Sequence, residues 1–327
     1  MKFKSIALAI SVAMSTTFAH AESINMNLSG GNPGGLWSLL GAGMDRAVKA
    51  DDANAVITYQ ATGGGFANLA LLGANRTDMG LVHDAEVKLA LDGQEPFKAP
   101  ITNLQAIGYM YNWAPMHFFL NQSIAEQYKI DSLDDLASSG APLTIGINRS
   151  GNITSDVALF MLAEAGLTEE KLEANGGSFV RAGANEQGEL MQDGRIEMAT
   201  NGIFIRHSSF RAIDENTDVV LLNVPQNVID AANKAFGTSS FTIPGGSYSK
   251  QISDVQTMAL GAMVVATDAM PDEMASKLAS GFLDNIDEIR NVHKAMNALN
   301  PELMVSQTVL PFHPGAAAVY REAGLIK

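Results

Sequence analysis

The chain has 327 residues, with 21 Lys and Arg against 35 Asp and Glu, and no cysteine. A net charge of −14 argues against nucleic acid or an anionic membrane as partner. The missing cysteines exclude disulfides, thiolate metal sites, cysteine nucleophiles and a lipid-modified N-terminal Cys.

Residues 1–21 read as a secretory signal peptide. Lys2 and Lys4 precede an apolar run from Ile6 to Met14, and Ala19 and Ala21 supply the small residues of a cut site. No later stretch approaches the roughly 18 uninterrupted apolar residues of a membrane helix, so a soluble, exported chain is expected. Its 46% hydrophobic content supplies a core. That core is expected in two lobes, since domains typically run to ~100–200 residues.

Ser23 to Ser29 alternates apolar and polar residues as a strand does. The turn Gly30 to Gly35 follows, then a helix with Leu36, Leu40, Met44, Ala47 and Val48 on one face. The unit repeats: strand 55–61, glycines Gly63 to Gly65, helix 66–75, and strand Met79 to Val82 ending at His83 and Asp84. Strands alternating with helices imply a doubly wound sheet, whose ligands sit beyond the strand carboxyl ends. Each glycine turn feeding a helix aims free N–H groups at one point, which favours an anion.

Ile101 to Tyr111 and Met116 to Asn121 read as two strands, with Asn112 to Pro115 between them as a first crossing into lobe two. Leu143 to Ile147 runs into Asn148-Arg149-Ser150-Gly151-Asn152, then a helix from about Thr154 to Ala165. Strand–helix units follow at 179–192 and 196–214, with a strand at 219–224. The apolar Leu260 to Thr267 recrosses to lobe one, and a helix spans 272–290. The expected fold is α/β and two-lobed, each lobe a doubly wound mixed sheet with the cleft between. Lobe I is 22–113 plus 262–327 and lobe II is 114–261, with hinges near 112–116 and 258–263.

Gly63-x-Gly65-x-x-Asn68 falls one glycine short of a dinucleotide fingerprint, and neither a phosphate loop nor a nucleophile elbow occurs. The histidines lack the spacing of a helical metal pair. No cofactor, metal or catalytic residue is expected. Arg149, in a turn before a helix, could take a carboxylate bidentately, as Arg181 and Arg206 also could. The binding residues expected are Asn32, Gly35 and Trp37; Thr62, Gly64, Gly65 and Phe66; His83 and Asp84; Arg149, Ser150, Asn152, Thr154 and Ser155; and Asn201 at a strand end.

Five motifs in order carry a family resemblance: the Gly30-to-Gly41 turn with Trp37; ATGGGFANLALL from Ala61; GINRSGNITSDVALFMLAEAGL from Gly146; IPGGSY from Ile243; and PFHPGAAAVYREAG from Pro311. The chain resembles the TAXI (TRAP-associated extracytoplasmic immunogenic) solute receptors of tripartite ATP-independent periplasmic (TRAP) transporters. That resemblance implies a monomeric periplasmic receptor for a small carboxylate such as glutamate or 2-oxoglutarate, delivered to membrane permease subunits. The chain departs from the family's Gln-Ser-Asp after the third strand, where it has His83-Asp84-Ala85, and from its SGT, where it has Ser150-Gly151-Asn152. The alternatives are an exported α/β hydrolase or transferase using His83 and Asp84, and a ligand sensor for a membrane kinase.

Overall fold

The computed structural model describes residues 23–327; the signal peptide expected over 1–21 lies outside them. Ten strands form one curled sheet: β1 (Asn25–Ser29), β2 (Val56–Gln60), β3 (Met79–His83), β4 (Leu104–Asn121), β5 (Thr144–Ile147), β6 (Ser178–Arg181), β7 (Met198–Gly202), β8 (Val219–Leu221), β9 (Ser239–Ile243) and β10 (Val255–Thr267). The order is β2-β1-β3-β10-β4-β7-β5-β6, with β8 added to β4 and β9 to β10. The result is a two-lobed, mixed α/β molecule. Among the described residues, no helix is long and apolar enough to cross a membrane.

Its first half follows from two strand–turn–helix repeats. Helix α1 (Leu36–Asp51) buries Leu40, Met44, Ala47 and Val48, the stripe its helical spacing predicts. Helix α2 (Gly65–Gly73) buries Leu69 and Leu72, and β1 pairs in parallel with both β2 and β3. The second half repeats the scheme, with β5 parallel to β6 and β7 and a helix Ile153–Glu164 after β5.

Two strands belong to both halves. Strand β4 runs unbroken through Asn112–Pro115, where the sequence reading had two strands with a separator. Pro115 is tolerated because the pairing changes partner there: residues up to Pro115 face β10, and Met116 to Leu120 face β7. Strand β10 changes partner at the same level, from β9 to β4 and β3. The β4–β10 register slips between Leu260 and Ala262, opposite Ala114 and Tyr111.

Other differences have local causes. The helix expected over 272–290 breaks at Asn285, whose side-chain amide donates to the Ala47 carbonyl and to Asp51; Asp272–Asp284 and Ile286–Arg290 result. Helix α3 (Asp84–Asp92) begins directly at the end of β3 with no intervening loop, which hid it from a reading based on turns. The helix Gln226–Phe236 was also unanticipated, although Val228, Ile229, Ala232 and Phe236 have helical spacing and are buried. A single apolar cluster, from Ile24 to Met304, runs through both halves.

Candidate functional site: the cleft between the halves

A cavity of about 460 Å³ opens where the two halves meet. The first half contributes the Gly31–Leu36 turn, Trp37, Leu39, Gly63 to Gly65, His83, Glu86, Tyr111 and His293; the second contributes Gly151, Asn152, Gly202, Ile203, Phe204 and His207.

Helix α1 starts at the cavity. Its N-cap is Gly35, which has no side chain to cap the free N–H groups, and its first turn carries no acid. The positive end of α1 therefore faces the cavity uncompensated. Helix α2 also starts there with a glycine cap, Gly64 at φ 108°, a conformation only glycine adopts freely. Here the chain supplies its own anion. A Cβ on Gly65 would stand 1.6 Å from Glu86 Oε2, so that carboxylate lies directly against the start of α2.

Glu86 is 3% exposed and closes a capping box on α3. Its Oε2 accepts from the His83 N–H (2.8 Å) and from His83 Nδ1 (3.2 Å). Burial pulls the His83 imidazole toward its neutral form, but the carboxylates of Glu86 and Asp84 outweigh it and raise its pKa. Trp37 Nε1–H donates to Tyr111 Oη (3.1 Å), which sits 3.5 Å from His83 Nε2. The Trp37 and His83 rings lie 4.8 Å apart, and Tyr111 meets Phe204 of the other half edge-on at 5.1 Å.

Asp84 stands behind this wall, not in it. At 2% exposure, its Oδ2 accepts from Tyr109 Oη of β4 (2.8 Å) and from the Gly261 N–H of β10 (2.9 Å). Burial pushes its carboxyl up to about 7, against the pull of those hydrogen bonds and of His83. The sequence reading placed His83 and Asp84 together at the end of a strand. Asp84 is instead the first residue of α3, and it ties the two long strands together where their register slips.

The second half's turn is satisfied from within. Asn152 Oδ1 accepts from the Thr154 N–H (3.0 Å) and caps the helix Ile153–Glu164. Asn148 Nδ2 donates to Thr154 Oγ1 and to Asn201 Oδ1. Ser155, buried, accepts from Arg181 Nη1 (2.9 Å). Arg149, with its side chain 72% exposed, reaches away to Glu186 (3.0 Å), and Ser150 is exposed beside it. Arg206 turns to the Ser247 carbonyl.

Of the residues expected to bind, Asn32, Gly35, Trp37, Gly64, Gly65, His83 and Asn152 line the cavity. Thr62 instead positions the glycine turn, accepting from the Gly64 N–H (3.0 Å) and donating to Asn68 Oδ1 (2.6 Å). Phe66 packs on Phe97 at 5.9 Å. Asp84, Arg149, Ser150, Thr154, Ser155 and Asn201 stand outside the lining. Sequence reasoning missed Glu86, Tyr111, Phe204, His207 and His293. Only Glu86 left a local signal, the three-residue spacing of a capping box after His83.

His207 and His293 face the cavity from opposite halves. Nδ1 of His207 accepts from Ser209, and Nδ1 of His293 accepts from the Ala295 N–H, which leaves Nε2–H of each ring as a donor. Burial, then the neighbouring His293, lowers the His207 pKa.

The profile of the NMT1-like family matches residues 28–324. Among solved structures, the chain is similar to MatC from Rhodopseudomonas palustris with bound malate: 12% identity, 92% of this chain and 96% of that one covered, TM-score 0.54. PhnD1 from Prochlorococcus marinus, in complex with methylphosphonate, matches at 10% identity over 92% and 98% of the two chains, TM-score 0.54. A TctC solute binding protein from Polaromonas matches at 14% identity over 83% and 87%, TM-score 0.51. At such identities the likeness is one of fold.

Proposed function

The chain belongs to the NMT1-like family, and we propose that it is a periplasmic solute receptor of the TAXI kind. It captures a small carboxylate in the cleft and delivers it to the membrane permease subunits of a TRAP transporter. The observation that carries this reading is the uncapped, acid-free N-terminus of α1 opening into a cavity bounded by both halves. A carboxylate seated there meets free N–H groups and the positive end of a sixteen-residue helix. Nε2–H of His207 and His293 supplies further donors from either side. The cavity volume lies within the roughly 300–1,000 Å³ usual for small-molecule sites.

The lobes on this reading are 22–113 plus 262–327 and 114–261, hinged where β4 and β10 exchange partners. A solute touching both halves binds the closed form better and shifts the population toward closure. An exported hydrolase would need a nucleophile at His83, whose ring nitrogens are engaged with Glu86 and Tyr111. The test is a thermal-shift screen of amino, keto and hydroxy acids, sugars and amines on the mature protein. An acid should stabilise it by about 2.7 kcal/mol at a hundredfold excess over its Kd, and be recovered unchanged. Hits confined to sugars or amines, or turnover of the bound acid, would defeat the proposal.

A further inference from the structure

Resting on that reading, we infer that the solute carries one carboxylate on an apolar or aromatic body, rather than being a dicarboxylate of the glutamate or 2-oxoglutarate kind. Two features of the cavity lead there, one of charge and one of shape.

The cleft offers one uncompensated anion position, not two. Of the five α-helix starts whose caps line it, α1 is free, α2 is held against Glu86, α3 is closed by its own capping box, and the helices Ile153–Glu164 and Ser208–Asn216 are capped by Asn152 and His207. Among the described residues no Lys or Arg lines the cavity. Arg149 is engaged by Glu186, and Arg181 by Ser155. His83 is already matched to Glu86. His207 and His293 each accept a backbone N–H at Nδ1, which leaves Nε2–H as a donor on both, and burial lowers the His207 pKa. A second carboxylate would enter beside the Glu86 carboxylate with no cation to meet it, and burying an unpaired charge is costly.

What the cavity offers in place of a second cation is apolar surface. Trp37, Leu36 and Leu39 come from α1, Tyr111 from β4, and Ile203 and Phe204 from the loop after β7. The Tyr111–Phe204 edge contact carries this surface across the cleft from one half to the other. An aliphatic or aromatic body extending from the α1 end would cover both walls, and so belong to both halves at once.

Titration calorimetry can decide it, using phenylpyruvate and 4-methyl-2-oxopentanoate against 2-oxoglutarate and L-glutamate, with phenylacetamide as the uncharged control. The apolar-bodied acids should bind about tenfold or more tighter than the dicarboxylates, the discrimination a hydrophobic pocket commonly gives. Phe204→Ala should shrink that ratio while leaving the thermal midpoint of the empty protein near wild type. Equal or tighter binding of 2-oxoglutarate or L-glutamate overturns the inference and leaves the carboxylate receptor standing. Binding of the amide as well as the acids, or of no acid at all, overturns both.

Discussion

The two halves of the molecule present the cleft with the same device, a strand running through a tight turn into a helix, yet dispose of charge in different ways. In the first half the chain leaves α1 bare and buries two carboxylates of its own, Glu86 in the cavity wall against α2 and Asp84 behind it against β4 and β10. In the second half amide side chains close the turn from within, and a base, His117, is buried between the Pro115 carbonyl and Tyr248 Oη. A turn of the right shape is therefore left open to an anion only where no other part of the chain has reached it first.

The strongest way to break this comparison is to add a methyl group to a helix start in each half. Gly65→Ala would drive its Cβ into the Glu86 carboxylate and should cost about 3 kcal/mol, the upper end for an overpacked site. Gly183→Ala, at the start of the helix Ala184–Gln192, meets only the Arg149 guanidinium at 3.7 Å and should cost less than about 1 kcal/mol. Urea unfolding that gave the two variants equal midpoint shifts would mean Glu86 does not hold the start of α2.

A second effect comes from two buried titratable groups, Asp84 and His117, whose pH dependences oppose each other. Asp84 is raised from 3.8 to about 7, so between those values the folded protein holds a proton the unfolded chain has lost. Its contribution to stability therefore falls as pH rises through that window. Burial lowers His117 from 6.5 to about 4, so the unfolded chain takes the extra proton and stability falls as pH drops from about 6.5 to about 4. Each slope is at most about 1.4 kcal/mol per pH unit. Relative to wild type, Asp84→Asn should gain stability as pH rises from 4 to 7, and His117→Gln should lose it. Parallel curves for both variants would show that neither group titrates in that range.

The smallest effect is expected at Arg149. Its side chain is mostly exposed and its partner Glu186 is half exposed, so Arg149→Ala should leave both the unfolding midpoint and the solute affinity unchanged. A loss of affinity of tenfold or more by calorimetry would bring Arg149 back into the site.

These contrasts mark what could be read from the sequence and what could not. The strand–helix repeats were legible because apolar spacing changes from two to about 3.6 at each glycine turn. The continuity of β4 was not, since Pro115 reads as a breaker unless the change of pairing partner is known. At the site, the turns at 31–35, 63–65 and 151–152 were visible because turn chemistry is local. The direction of Arg149 was not, because it is set by Glu186, 37 positions on. Tyr111, Phe204, His207 and His293 meet only after folding, and their spacing in the chain carries no trace of it.

The sheet order has one more consequence, for the sequence of events as the chain is made. Strands β5, β6, β7 and β8 find their partners among themselves and β4, all within residues 104–221, so that part of the second half's sheet can pair as soon as that stretch is available. The first half cannot. Its strand β3 borders β10, and the Asp84–Gly261 bond spans 177 positions. Closing so long a loop is slow, and until it closes β3 is an unpaired edge. The part of the molecule begun first is thus finished last, and any factor that shields nascent chains from aggregation would have its main task at β3.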